Sequence, residues 1–384
     1  MNFVPGRIEF LGKHTDYGGG ESLVCPIGRG FSFEFTPRAD SVITLENRDR
    51  SESLRFGLDD SGPRAGWINY AITVAARLRS NFGDALHRGV DISFSSDLPP
   101  AAGLSSSSAL MIMVFRAIAA ANDLERCDAY AADIKDELDL AEYLGCVENG
   151  QTFRGMSGTV GVGTFGGSQD HAAIIAGRRG FISRFSFGPL ARLAELEIPP
   201  GLSFAIASSG VLAEKTGAAL AKYNRVSEMV SAVTAHFGAT SLAALIRDRG
   251  IDEVLMAIRT GKFAFSSDDL IRRVAQFHLE SCEILPKVAA MISSGQIDAI
   301  GDLIDQSQQF AESMLGNQVD ETMFLQRSAR KLGAVAASAF GAGFGGSVYA
   351  LIQTDHADAF LAEWQSDYRH RFPHREPEFF LTPM

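Results

Sequence analysis

The sequence is short of the features that mark nucleic-acid, membrane and disulfide-bonded proteins. Basic residues are in deficit, 35 Lys and Arg against 46 Asp and Glu, for a formal net charge of -11. No nucleic-acid partner is expected of so acidic a chain, because phosphate backbones call for clustered cations. The deficit does not bear on a small anion held locally. Cysteine is scarce, and the four present, Cys25, Cys127, Cys146 and Cys282, form neither a Cys-x-x-Cys pair nor a zinc spacing. Reduced thiols in a cytoplasmic protein are the simplest account. The longest apolar helix candidate is interrupted by Arg116, so no membrane partner is expected. Pro5-Gly6-Arg7 follows the start so closely that no signal peptide is expected either. There is no internal repeat, no low-complexity tail, and no Gly-Lys-Ser/Thr of a Walker A loop.

What is there reads as a globular enzyme-sized chain. With 384 residues, 46% of them hydrophobic and 21% charged, two domains are expected. Composition loosens at Gly188-Pro189 and Pro199-Pro200, so the domains are expected over 1–187 and 200–384. The organising stretch of the first half is Pro99-Pro100-Ala101-Ala102-Gly103-Leu104-Ser105-Ser106-Ser107-Ser108-Ala109. Pro and Gly punctuate the backbone ahead of an apolar run, and serine is a favoured helix cap. The first turn of that helix presents unpaired N–H groups at the positive end of its dipole. With only small side chains in front, it suits a polyphosphate. Taken alone, four serines read as an ordinary capped helix; motifs at the two ends of the chain change that reading.

Near the start, Ile8-Glu9-Phe10-Leu11 reads as a strand leading into Gly12 and the polar run Lys13, His14, Thr15, Asp16, Tyr17. Flanking glycines let this loop turn sharply and approach a ligand. The cluster suits a polyhydroxylated substrate, whose hydroxyls each need a partner once out of water, or else a solvated turn. Strands are predicted around 31–35, 42–45 and 90–94, and helices over 67–78, 104–121 and 130–149, the last carrying Glu142 and Glu148. A glycine-rich passage, 155–167, is followed by Ser168-Gln169-Asp170-His171, which opens another apolar run at Ala172. Asp170 there either faces a cleft or caps the next helix. The second half is expected to begin with a strand, 202–207, and to continue as helices over 217–237, which holds Tyr223, 271–294 and 297–314. Last comes Phe340-Gly341-Ala342-Gly343-Phe344-Gly345-Gly346, a glycine loop running into a buried-type strand.

Together these motifs resemble the GHMP kinase superfamily, and most of all its galactokinase branch. Pro5-Gly6-Arg7-Ile8-Glu9-Phe10-Leu11-Gly12-Lys13-His14-Thr15-Asp16-Tyr17 resembles that branch's N-terminal signature, the serine stretch resembles the phosphate loop, and residues 341–346 the third motif. Their order and wide separation match across nearly the whole chain. The resemblance implies an α/β (α+β) two-domain GHMP kinase fold. Its N-terminal domain would be of the ribosomal-protein-S5-domain-2-like type with a left-handed crossover. Its C-terminal domain would be ferredoxin-like, with the active site in the cleft between the two. It also implies an ATP-dependent sugar kinase acting on the anomeric hydroxyl of a galactose-type monosaccharide, with Mg²⁺ as cofactor, working as a monomer or weak dimer.

By position, Asp170 and Arg7 would be the catalytic pair. Lys13, His14 and Asp16 would meet sugar hydroxyls, with Gly167 and Tyr223 completing the pocket. Ala102, Gly103, Leu104, Ser105, Ser106, Ser107, Ser108, Gly343 and Gly345 would bind ATP. Ser107 and Glu148 would hold the metal, with Glu142 as the other candidate carboxylate. Phosphoryl transfer asks for positioning and charge neutralisation more than covalent help. An aspartate, with an ordinary pKa of about 3.9, serves by orienting the sugar hydroxyl and taking its proton late. An arginine beside it keeps it ionised and stabilises charge on the moving phosphoryl oxygens; an isolated structural ion pair is the alternative. Two departures stand out. His171 follows Asp170 where the family pattern has glutamine, and Lys13 stands where galactokinases carry a glutamate resembling a contact to the sugar's C6 hydroxyl. That reversal admits a C6 uronic acid such as galacturonate, or L-arabinose; alternatively Lys13 pairs with Glu9, Asp16 or Glu21 and the pocket still takes galactose. A non-catalytic regulator sensing sugar and ATP, and a GHMP kinase for a non-sugar alcohol, are the other readings. The intact Arg7, Asp170 and serine loop argue against the first, and the His14-Thr15-Asp16-Tyr17 cluster against the second.

Overall fold

The computed structural model describes residues 1–62, 64–213 and 217–382, and the side chains of all of these but 217–219. The chain packs as two compact units, each assembled from separate pieces of sequence.

The first unit comprises Met1–Gly6, Arg29–Leu98 and Ser105–Ala176. Strand β1 (Asn2–Leu11) starts in it, and the second half of β2 (Glu21–Pro37) lies in it. β3 (Val42–Asn47) pairs antiparallel with β4 (Glu52–Gly57) and parallel with β5 (Val90–Ser96), whose other edge takes residues 31–37 of β2. Period-two alternation sets the faces: Ile43, Leu45, Val90, Ile92 and Phe94 are all buried. The helices are α1 (Ile68–Phe82), α2 (Ser106–Ala121), α3 (Asp128–Asp133), α4 (Glu137–Asn149) and α5 (Gln169–Ala176). α2 is buried along the whole run Leu110 to Phe115, as a helix apolar on every side must be. The expected helix over 130–149 is broken. Asp136 takes extended backbone, and its carboxylate accepts from the amides of Leu138 and Asp139 to cap α4.

The second unit comprises Arg7–Gly28, Pro99–Leu104 and Gly177–Met384. In it the first half of β2 pairs with β6 (Phe181–Phe187), which forms a hairpin with β7 (Leu190–Glu197). β8 (Leu202–Ser208) belongs to a four-stranded antiparallel sheet, completed by β9 (Ala336–Phe340), β10 (Ser347–Gln353) and β11 (Glu378–Thr382) in the order β11-β8-β10-β9. Between β8 and β9 run α6 (Gly217–Phe237), α7 (Leu242–Arg249), α8 (Ile251–Thr260), α9 (Ser267–His278), a π turn (Leu279–Ile284), α10 (Leu285–Ser293), α11 (Gly301–Phe310), a second π turn (Ala311–Leu315) and α12 (Asp320–Lys331). α13 (Ala357–Arg371) follows β10. One sheet face buries Ala205, Ala207, Val348 and Ala350 against Leu325, Phe360, Trp364 and Tyr368 of α12 and α13. The other brings Phe204 and Tyr349 onto Phe10 of β1, at ring separations of 6.0 and 5.1 Å. A second core joins α6 to α9 through Val230, Leu245, Val254, Val274 and Phe277.

These units divide the chain differently from the boundary expected at 187–200. Residues 7–28 and 99–104 pack with the later chain because their backbone is hydrogen-bonded there: the Tyr349 hydroxyl donates to the Phe10 carbonyl at 2.8 Å, and the Ser347 hydroxyl to that of Ala102 at 2.6 Å. Among the described residues, no single helix is long and apolar enough to cross a membrane.

Candidate active site

Three of the expected motifs meet within the second unit. Arg7 is 3% exposed on β1, its amide donating to the Leu104 carbonyl at 3.2 Å and its Nη1 to the Gly103 carbonyl at 2.6 Å. Gly103 has φ +76, and a Cβ there would lie 3.1 Å from the Phe340 carbonyl oxygen. Across from it, Gly341 (φ +82) would bring a Cβ 2.9 Å from the Gly103 carbonyl. Both positions therefore need glycine, for conformation and for clearance. The Arg7 strand, the approach at 102–104 and the 341–346 loop thus form one backbone-to-backbone contact.

The signature loop after β1 is held from below by buried polar groups. Gly12 has φ +106 and sits where a Cβ would be 2.5 Å from Ser22 Oγ. Thr15 closes the turn, its hydroxyl 2.8 Å from the carbonyls of Gly12 and Glu21. On α9, Arg273 and Gln276 are each 1% exposed. Arg273 Nη2 donates to the His14 carbonyl and, at 3.0 Å, to the Tyr17 hydroxyl; Gln276 Nε2 donates to the Lys13 carbonyl at 3.2 Å. Burial pushes the Tyr17 hydroxyl up to about 12, with the Arg273 charge pulling the other way. His14 is a non-glycine residue at φ 58. Its Nδ1 pairs with the Tyr17 hydroxyl at 3.1 Å, its Nε2 with the Ala342 carbonyl at 3.2 Å, and its ring lies 5.6 Å from that of Tyr223. Asp16 opens a short 3₁₀ turn and is half-buried. The 341–346 loop is held in turn by Asn317, whose carbonyl accepts from the Phe344 amide at 2.5 Å.

Lys13 is enclosed by the second unit. It is 1% exposed, and its ammonium donates to Ser307 Oγ on α11 at 3.0 Å. Its long stem carries the charge into the helical layer, away from solvent.

The first unit holds the remaining groups. Ser105, preceding α2, takes a left-handed conformation (φ 59), and no side chain caps the first turn. The expected serine cap is absent because left-handed backbone turns the hydroxyl away from the N2 and N3 amides, which extended backbone would place in reach. Ser105 Oγ is buried without a hydrogen-bond partner. The carboxylate of Glu148, 5% exposed, accepts from the hydroxyl of Ser108 at 3.0 Å and lies 3.5 Å from His171 Nε2. The serine touching Glu148 is therefore the one after the expected Ser107, which is half-buried: on a helix entered at 106, position 108 turns inward. Glu142, earlier on α4, is half-buried and has its carboxyl raised by burial. Asp170 sits half-buried in the first turn of α5. The glycine-rich passage before it is anchored by Arg77, 0% exposed, whose Nη2 donates to the Met156 carbonyl at 3.3 Å and to the Gln151 carbonyl just ahead of it at 2.8 Å. Gly167 O accepts from Asn149 Nδ2 at 3.3 Å.

Arg77, Arg273, Gln276, Ser307 and Asn317 were not singled out from sequence, and His171 only as the residue that follows Asp170. For α9 one signal existed: polar residues at 273 and 276 flank the apolar positions 270, 274 and 277 of an amphipathic helix.

Three known families match this architecture: GHMP kinases N terminal domain over residues 69–178, GHMP kinases C terminal over 287–370, and the galactokinase galactose-binding signature over 1–35. Galactokinase of Lactobacillus helveticus is 26% identical across 96% of this chain and 89% of its own. That of Mycobacterium tuberculosis is 27% identical across 92% and 89%. Among solved structures, Lactococcus lactis galactokinase complexed with galactose superposes with a TM-score of 0.80 at 21% identity, over all of this chain and 92% of that one. Methanococcus jannaschii mevalonate kinase follows the same fold with a TM-score of 0.60 at 14% identity, over all of this chain and 97% of that one. The chain belongs to the GHMP kinase superfamily, with that superfamily's two-domain fold. Within it, the signature over 1–35 and the full-length relatives make it a galactokinase-like sugar kinase.

Proposed function

We propose that this kinase transfers the γ-phosphoryl group of ATP to the anomeric hydroxyl of galactose. The observation that carries the reading is the 2.6 Å bond from Arg7 of the sugar signature to the Gly103 carbonyl of the phosphate-loop approach, which joins the two motifs the reaction needs. Supporting it, α2 starts without a side-chain cap, leaving first-turn amides for phosphate oxygens. Residues 102–108 with Gly343 and Gly345 are assigned to ATP.

Asp170 is assigned to orient the sugar hydroxyl and accept its proton, and Arg7 to stabilise charge on the transferring oxygens. Asp16, Tyr223 and Gly167 are assigned to the sugar. His14, with both ring nitrogens bonded inside the protein, shapes the pocket through its ring. Lys13 is assigned a place behind the pocket, so the reversed charge at this position calls for no charged sugar. Ser107 and Glu148 are assigned to Mg²⁺, with Ser108 and His171 orienting the carboxylate. A hydroxyl and a carboxylate are hard oxygen donors that fit this ion. No group of three or more His, Cys, Asp or Glu could hold a metal among the described residues, which fits an ion bound by one or two protein ligands plus phosphates and water. When bound, it would offset phosphate charge. We assign the enzyme to the cytoplasm, which its four free cysteines support, as a monomer or weak dimer. The sequence division into 1–187 and 200–384 is retained as the proposed domain boundary, since the two GHMP segments fall on either side of it.

The test is sugar-dependent ADP release over a monosaccharide panel, with the product's phosphate position read by phosphorus NMR. Galactose 1-phosphate is expected. Asp170→Asn should lower kcat by about 10²–10⁴ with little change in ATP KM, and the double variant with Arg7→Lys should lose less than the product of the two single losses. Binding of both ligands without sugar-dependent ADP release would overturn the reading.

A further inference from the structure

Glu280 is 0% exposed, on the π turn that follows α9. One carboxylate oxygen, Oε1, accepts from two consecutive backbone amides of the signature loop, Gly12 at 2.9 Å and Lys13 at 3.2 Å. The other, Oε2, is buried without a hydrogen-bond partner. Consecutive amides converging on one anion form a small concave nest, a motif that elsewhere receives phosphates; here the protein fills it with its own side chain. A buried carboxylate half satisfied in this way is costly to keep, and a neutral acceptor would bond the same amides at less cost. The cost is offset where a charge-assisted bond fixes a backbone that would otherwise wander.

The surroundings show what is being fixed. Arg273, Gln276 and Glu280 stand at i, i+3 and i+7, a spacing that lines one side of a helix. They take in order the carbonyls of His14 and Lys13 and the amides of Lys13 and Gly12. Ser307 adds the Lys13 ammonium. Four backbone polar atoms of residues 12–14 are thus set by this ladder, while Thr15 holds the Gly12 carbonyl.

We propose that Glu280 is a positioning residue for the acceptor sugar, holding the loop by the amides of Gly12 and Lys13 so that His14 and Asp16 keep their places. This rests on the sugar-kinase reading of the loop, and its test has one arm that does not. In the ligand-free protein, amide hydrogen exchange across residues 12–18 should be about tenfold faster in Glu280→Ala than in wild type, with exchange in β8 and β10 unchanged. Glu280→Gln, which keeps an acceptor but not the charge, should fall between, about threefold faster. In turnover, Glu280→Ala should raise sugar KM about tenfold while ATP KM stays within about twofold, and Glu280→Gln should recover most of the loss. A residue serving the fold alone would lower the yield or melting temperature and move neither the KM split nor the local exchange. Unchanged exchange over 12–18, or sugar and ATP KM rising together, overturns the proposal. If Glu280→Ala yields no soluble protein, Glu280→Gln decides by the same two readouts. If wild type phosphorylates no sugar, the kinase reading falls and the exchange arm alone judges the anchor.

Discussion

A lysine sealed from water binds whatever oxygen its stem can reach, and Lys13 reaches the hydroxyl of Ser307. Read in sequence, a cation among sugar-binding residues invites an anionic substrate. In the structure the residue is 1% exposed and its ammonium is engaged by a neutral group. Replacing a buried charge by an apolar side chain of similar volume is often neutral or stabilising, whereas burying a second acid near Glu280 is not. Lys13→Met should therefore keep galactose kcat/KM within about threefold and stability within about 1 kcal/mol, whereas Lys13→Glu should destabilise by several kcal/mol. Urea unfolding and galactose kinetics check both. A tenfold or greater rise in sugar KM for Lys13→Met would put the ammonium back in the pocket.

At the scale of elements, what sequence discloses depends on how local the deciding interaction is. α6 lies where periodicity placed it, at Gly217–Phe237, because an apolar face declares itself within a few turns. The stretch 130–149 read as one helix and is two, since Asp136 caps α4 through a bond two residues away that periodicity does not weigh. The stretch 271–294 read as continuous and contains a π turn; one extra residue in a turn leaves the apolar pattern nearly intact. The three motif loops were legible as motifs because glycine and serine spacing is a local requirement. Their supports were not. Arg273 and Ser307 lie 259 and 294 residues from the atoms they hold, and nothing in either neighbourhood names its partner. The loops also carry the sharpest element-scale prediction. Gly103→Ala would place a side chain at φ +76, 3.1 Å from the Phe340 carbonyl. It should cost about 1–2 kcal/mol of stability and weaken ATP more than galactose, as measured by urea midpoints and by titration of each ligand.

For the whole molecule, burial fixes how stability answers to alkali. Tyr17 and Tyr130 are raised from 10.0 to about 12, and Cys25 from 9.0 to about 12, in each case chiefly by desolvation; Tyr143 and Tyr368 are raised in the same sense. The folded chain holds these protons more tightly than the unfolded one. Their contribution is therefore whole below pH 9, and is lost as pH climbs from 9.0–10.0 through about 12. Urea midpoints at about pH 8, 9 and 11 should be nearly level between the first two and then fall steeply. A midpoint that declines evenly from pH 8 would show that exposed charges dominate instead.

The division into units carries a consequence for how the protein is made. Residues 7–28 leave the ribosome with no sheet or helix of their own unit to lie on. The amide of Gly12 waits for a carboxylate 268 positions downstream, and the carbonyl of Lys13 for an amide 263 positions downstream. At about 5–20 residues per second, that interval lasts tens of seconds, during which the sugar-recognition segment is bare polypeptide open to chaperones and proteases. The part of the chain that recognises substrate is translated among the first and takes its final form among the last.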